Sequence, residues 1–119
     1  MENVAYLEVD DFNSDGSIKH DVNNGKPVVL MAQGGFCGYC QQAKPAFAKF
    51  AAESTNVIAA TIVTDGEAVE KQAAKFIRVW DAGHKGVPAY FGFGSNGKFE
   101  KLHGGGRGLS DLKSFAATL

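Results

Sequence analysis

The chain contains only two cysteines, and they stand three residues apart as Cys37-Gly38-Tyr39-Cys40, where one hydrophobic pattern gives way to another. Before them, Pro27-Val28-Val29-Leu30-Met31-Ala32 is short, apolar and β-branched, the pattern of a buried strand that Gln33-Gly34-Gly35 breaks. After them, Ala43, Phe47, Phe50 and Ala51 recur at helical spacing through Glu53. The pair therefore falls in the first turn of a helix that follows a strand. Three helical residues rise about 4.5 Å, within the roughly 4.4–6.8 Å between α-carbons that a disulfide accepts. A bond can open and close there with little backbone movement.

Reversible chemistry explains this pair better than stabilisation does. Chain entropy assigns a four-residue ring roughly 2 kcal/mol, against roughly 3 for a fifteen-residue loop. The helix entrance also tunes sulfur, because its unsatisfied amides and positive dipole end favour an anion at Cys37, while Cys40 sits a turn inside. Cys37 is thus the expected nucleophile and Cys40 the resolving thiol. A thiol of pKa about 8.5 is roughly 3% ionised at pH 7, whereas one lowered to about 7 is half ionised.

Two other uses of the pair, a metal site and a structural staple, fit the sequence less well. A zinc site needs a second ligand pair, and His20, His84 and His103 are scattered, so neither a metal nor a resident cofactor is expected. The opening Met1-Glu2-Asn3-Val4 lacks the basic and apolar pattern of a secretory leader, which makes a reducing, cytoplasmic setting the expectation. In that setting a C-x-x-C beside a β-α pattern is redox-active rather than structural.

At 119 residues, 45% of them hydrophobic and 21% charged, the chain should form a single domain over residues 1–119 with a sizeable core. A net charge of −1 with dispersed basic residues argues against a general nucleic-acid binder, and no apolar stretch reaches membrane-span length. Proteins or small thiols are the expected partners, and a monomer the expected state.

Along the chain, Val4–Val9 reads as a first strand, and a polar stretch from Asp10 to Gly25 offers a thin helical face of Phe12, Ile18 and Val22 ending near Asn24-Gly25. Val57–Val63 is β-rich enough for a central strand. Thr64-Asp65-Gly66-Glu67 reads as a capping box, opening a helix whose face is Val69, Ala73, Phe76 and Ile77 and which fades by Trp80. Pro88–Phe93 resumes as a strand, Ser95-Asn96-Gly97-Lys98 signals a hairpin, and Phe99–His103 should pair back. A last helix follows Gly104–Gly108, with Ser110 as its N-cap and Leu112, Phe115, Ala116 and Leu119 buried.

This order of elements resembles the thioredoxin family across essentially the whole chain. Phe36-Cys37-Gly38-Tyr39-Cys40 is similar to the family's aromatic-C-G-x-C motif, Pro45 falls where thioredoxins carry a helix-kinking proline, and Gly86-Val87-Pro88 resembles the loop that ends in a cis-proline opposite the dithiol. The resemblance implies an α/β thioredoxin fold, a central mixed sheet flanked by helices in three α/β/α layers. It also implies an electron-transferring protein-disulfide reductase. Phe36, Gly38, Tyr39, Val87 and Pro88 would then bind substrate, with the Val87 backbone pairing an extended chain.

Three departures from the family pattern stand out. The buried acid that thioredoxins carry six residues before the first cysteine is Met31 here, the preceding tryptophan is Phe36, and Gly38-Tyr39 is a hybrid of thioredoxin and glutaredoxin spacers. Glutaredoxins also use Cys-x-Tyr-Cys and a Val-Pro loop, so a glutathione-dependent oxidoreductase is the alternative, with Gly104-Gly105-Gly106-Arg107 as turn and carboxylate partner. Electrons would come from thioredoxin reductase in the first reading and from glutathione in the second. A third reading is a non-catalytic partner that docks through Phe36, Tyr39 and Val87. Trp80 reads as core and His84 as an exposed loop residue, whereas Tyr39, between the cysteines at a helix start, reads as a contact or tuning residue.

Overall fold

Val28–Gln33 (β2) is buried at all six positions, because a strand flanked by two others and covered on both faces has no polar side to present. In the computed structural model, which describes residues 1–119, β2 is the middle strand of five. Ile58–Val63 (β3) pairs with it in parallel, and Ala5–Tyr6 (β1) continues the sheet beyond β3. On the other side Ala89–Phe93 (β4) runs antiparallel, and Phe99–His103 (β5) closes the edge. The order β1-β3-β2-β4-β5 is a mixed sheet.

Helices cover both faces. Gly38–Glu53 (α2) and Leu109–Ala116 (α5) pack on the face that carries Val29, Met31 and Tyr90. The opposite face carries Leu30, Ile62, Phe91 and Phe93, and it is covered by Ala68–Ala73 (α3), a 3₁₀ turn over Ala74–Phe76 and Ile77–Trp80 (α4). Before β2 stands the single turn His20–Asn23 (α1). The three layers agree with the fold class read from the sequence.

In α2 the buried positions are Cys40, Ala43, Phe47 and Phe50, a stripe of helical period facing the sheet. Pro45 lies inside this helix without ending it. Its missing N–H would have served the Gln41 carbonyl, and both residues face solvent, so the freed carbonyl is open to hydration rather than buried without a partner.

Several local expectations shift. The first strand is two residues rather than Val4–Val9, and the chain turns through a 3₁₀ segment at Val9–Asp11. Phe12 and Ile18 do not share a helical face; they form an isolated antiparallel bridge, and Phe12 packs 5.2 Å from Phe76 and 5.6 Å from Trp80. Trp80 is core, its indole N–H donating to the Gly16 carbonyl at 2.9 Å. Gly16 is required there, with φ at +86° and the indole nitrogen 3.0 Å from where a β-carbon would stand.

Helix starts move as well. α3 begins at Ala68, where Glu70 accepts the Glu67 N–H at 2.9 Å, so the box sits a turn beyond Thr64. Val69 faces solvent rather than the core. α5 is capped at Gly108, not Ser110, and Asp111 accepts the Gly108 N–H at 3.3 Å.

Candidate active site

The chain leaves β2 at Gln33 and enters α2 at Gly38, so four residues must turn from the sheet into the helix. Gln33 is itself buried, its amide donating to Thr61 Oγ1 at 2.9 Å while that hydroxyl donates to the Met31 carbonyl at 2.7 Å. Both partners need this pairing, because an unpaired polar group at that depth costs roughly 1–3 kcal/mol.

Cys37 is the N-cap of α2 and is joined by a disulfide to Cys40, with α-carbons 5.1 Å apart. Cys40 is fully buried against Met31 and the α2 stripe, whereas Cys37 is partly exposed. The Cys40 N–H points at Cys37 Sγ at 3.1 Å. After reduction that donor and the helix dipole are both placed to hold a thiolate at Cys37. Nothing comparable surrounds Cys40.

The Val87–Pro88 peptide bond is cis, and the Val87 carbonyl oxygen lies 3.5 Å from Cys37 Sγ. A disulfide sulfur carries no proton, so this contact becomes a hydrogen bond only when Cys37 is a thiol. Val87 has no backbone partner for either its N–H or its C=O. An unpaired donor and acceptor beside a reactive sulfur form a short template for an extended chain. Pro88 is buried and fixes the start of β4.

Around this opening, Phe36 is 99% exposed and Tyr39 68%, with Gly38 bare between the cysteines. The Arg107 guanidinium lies 5.9 Å from the Tyr39 ring centroid, which brings the glycine-rich segment before α5 to the edge of the site. The residues predicted from the sequence, Phe36, Cys37, Gly38, Tyr39, Cys40, Val87 and Pro88, therefore converge. His84 instead turns toward Phe91, ring centroids 6.4 Å apart, in the layer opposite α2. No three His, Cys, Asp or Glu side chains gather in metal-binding geometry.

Asp65 is the residue that sequence reasoning missed. Its Oδ1 accepts the Gly35 N–H at 2.7 Å and its Oδ2 the Phe36 N–H at 3.4 Å. These donors, Gly35 first, hold its carboxyl below the ordinary aspartate range despite an opposing desolvation effect. Gln41 adds a bond from its side-chain amide to the Gly35 carbonyl at 3.3 Å. The loop presenting Cys37 is thus tied from two sides. The available signal was the Gly34-Gly35-Phe36 turn itself, which exposes backbone donors that some acceptor must meet.

The largest cavity, about 370 Å³, lies at the far end of α2 among Glu53, Val57, Lys113 and Leu119. Sixteen residues of helix, about 24 Å, separate it from the sulfurs, so it is no part of this site.

No protein-family model and no curated protein sequence matches the chain. Its structure does match solved ones. Spinach chloroplast thioredoxin f in its short form is 23% identical at a TM-score of 0.66, over 97% of this chain and 91% of that one. Thioredoxin o2 from Arabidopsis thaliana in the oxidized state is 21% identical at 0.68, over 98% and 94%. The Trx4 domain of ERdj5 is 16% identical at 0.70, over 99% and 96%. With β1-β3-β2-β4-β5 between two helical layers and a cystine at the head of α2, the chain has the thioredoxin fold.

Proposed function

We propose that this protein is a thiol–disulfide oxidoreductase that reduces protein disulfides, with Cys37 attacking and Cys40 resolving. The observation that carries the reading is the unequal access of the two sulfurs within one helical turn: Cys37 opens beside Val87 while Cys40 is sealed. A partner can reach only Cys37.

The Cys37 thiolate, held by the Cys40 N–H, attacks one sulfur of a substrate disulfide. A mixed disulfide forms, and the other substrate sulfur leaves as a thiolate that takes up a proton. Cys40 then loses its proton and attacks Cys37 Sγ, forming the Cys37–Cys40 disulfide and releasing the second substrate thiol. Two electrons and two protons pass from the protein dithiol to the substrate, and an external dithiol or glutathione restores the reduced state. The second attack is intramolecular, and effective molarities for well-oriented pairs of this kind are far above any solution thiol concentration. Val87 lines up the substrate chain through its free N–H and C=O, with Phe36 and Tyr39 supplying apolar contact.

The test runs thioredoxin reductase with NADPH against glutathione with its own reductase, on insulin and on a glutathionylated peptide. Insulin reduction with thioredoxin reductase is expected; turnover confined to the glutathione couple would replace this reading with the glutaredoxin-like one. Cys37→Ser should abolish turnover, and Cys40→Ser should accumulate a mixed disulfide visible by mass spectrometry. A Cys37→Ser/Cys40→Ser double variant that still engages its partners with full effect would mark a docking protein instead.

A further inference from the structure

Arg107 stands beside Tyr39, the residue before Cys40, with no carboxylate to hold. The chain has 13 acidic residues, yet its one ion pair joins Lys113 to Glu53 at 2.7 Å, at the far end of α2. Asp111 lies against the same glycine-rich segment, but it accepts the Gly108 N–H and forms no ion pair with Arg107. The other carboxylate near the sulfurs, Asp65, is occupied by the Gly35 and Phe36 amides.

What Arg107 does touch is informative. Its guanidinium sits over the Tyr39 ring, and the two wall a pocket of about 330 Å³ with Gln42, Ala43, Ala46 and Gly108. Its charge also opposes the rise that burial causes in the Tyr90 hydroxyl's pKa. A guanidinium resting on an aromatic face keeps its N–H edge free, and that edge matches a carboxylate through two parallel bonds. Lys85, two residues before Val87, is likewise exposed and in no ion pair, although the whole chain is at −1.

We propose that the Tyr39–Arg107 pocket is a substrate subsite for an acidic side chain of the protein whose disulfide is exchanged at Cys37. This rests on the redox reading above. Tyr39 is two residues from Cys37, so an extended substrate would place that acid two or three residues from its attacked cysteine, about 7–10 Å along the strand.

The test measures kcat/KM for dithiothreitol-driven reduction of peptide disulfides that differ only in Asp, Ser or Lys at those positions. Hydroxyethyl disulfide and glutathione disulfide run alongside. The wild type should favour Asp over Lys about fivefold at low salt, the yield of one exposed ion pair at the upper end of its range, and lose most of that preference in 0.5 M salt. Arg107→Glu should reverse the order, and Arg107→Lys should retain part of it. An Asp-to-Lys ratio that is the same in the wild type and Arg107→Glu overturns the subsite. If Arg107→Glu slows only glutathione disulfide and leaves the peptide ratio alone, the recognised carboxylate is that of glutathione and the proposal falls. Failure of the wild type on every peptide disulfide as well as on uncharged hydroxyethyl disulfide would instead remove the redox reading, which separates the two.

Discussion

Reducing the Cys37–Cys40 bond should destabilise the fold by a calculable amount, and the sign of that change reports the direction in which the dithiol works. Closing a ring of four residues removes roughly 2 kcal/mol of chain entropy from the unfolded state. Reduction returns that entropy. Against it, the reduced native state gains a thiolate held at the head of α2 by the Cys40 N–H, a helix-terminus effect of about 0.3–1 kcal/mol. Cys40 is fully buried in the oxidised state and lies against apolar side chains that suit a thiol as well as a cystine sulfur, so its burial contributes little to the difference. Ring entropy wins, and the oxidised protein should be more stable by about 1–2 kcal/mol.

With about 2.1 cal/mol/K of unfolding entropy per residue, a chain of 119 residues converts 1 kcal/mol into about 4 °C. Thermal melts with and without a non-thiol reductant should therefore differ by about 4–8 °C, the reduced form melting lower. Urea unfolding should show the same gap as a shifted midpoint at constant slope. By the thermodynamic cycle linking folding to oxidation, a fold that prefers its disulfide yields a dithiol that donates electrons. A reduced form as stable as the oxidised one, or more so, would refute the reasoning and mark the dithiol as an oxidant.

Asp65→Asn should loosen the Gly35-Phe36 turn, seen as faster amide exchange at both residues and a several-fold lower kcat/KM. The Asp65 carboxyl is held below its ordinary value of about 3.9, so its contribution is complete above that pH and is lost as pH falls through the depressed value. An acid titration of wild type should show Gly35 protection failing only below about pH 3.9, while Asp65→Asn shows no such step. Gly92→Ala should cost about 1–3 kcal/mol in urea unfolding and leave the rate of thiol alkylation unchanged, since its β-carbon would meet Leu119 at 2.6 Å and Phe115 at 2.8 Å, far from the sulfurs.

The parts of the fold legible in the sequence are those where a pattern and a burial demand coincide. β2 and β3 are continuous apolar runs because they lie inside the sheet, and α2 reads clearly because Ala43, Phe47 and Phe50 keep one period against it. The β4–β5 hairpin was visible in Asn96-Gly97, and Gly97 adopts φ of +82° as that turn requires. The Cys37–Cys40 disulfide was legible for a different reason, since the C-x-x-C spacing at a helix start sets the α-carbon separation that such a bond needs. The first strand was overextended because Leu7 makes the last bond to β3, at Thr61, and a pattern cannot show where a partner ends.

The misplaced cap of α3 has a single physical origin, and it explains why Asp65 went unseen. Thr64-Asp65-Gly66-Glu67 satisfies the local rule for a helix start, and the rule fails because both polar side chains are taken by β2 and the loop after it. Thr64 Oγ1 donates to the Gln33 carbonyl at 3.0 Å, and Asp65 meets the Gly35 and Phe36 amides. The Gly35 and Phe36 amides lie past the end of β2, beyond its last rung with β3 at Gln33–Val63, and have no strand partner, while the Gln33 carbonyl at that rung also accepts the Thr64 N–H at 2.8 Å. A helix start can be moved at small cost when a second acid pair follows, and Glu67 with Glu70 provides one. The turn that carries Cys37 has no such substitute. The acceptors therefore go to the turn, the helix begins later, and the residue that ties the loop carrying Cys37 is hidden inside what looks like an ordinary cap.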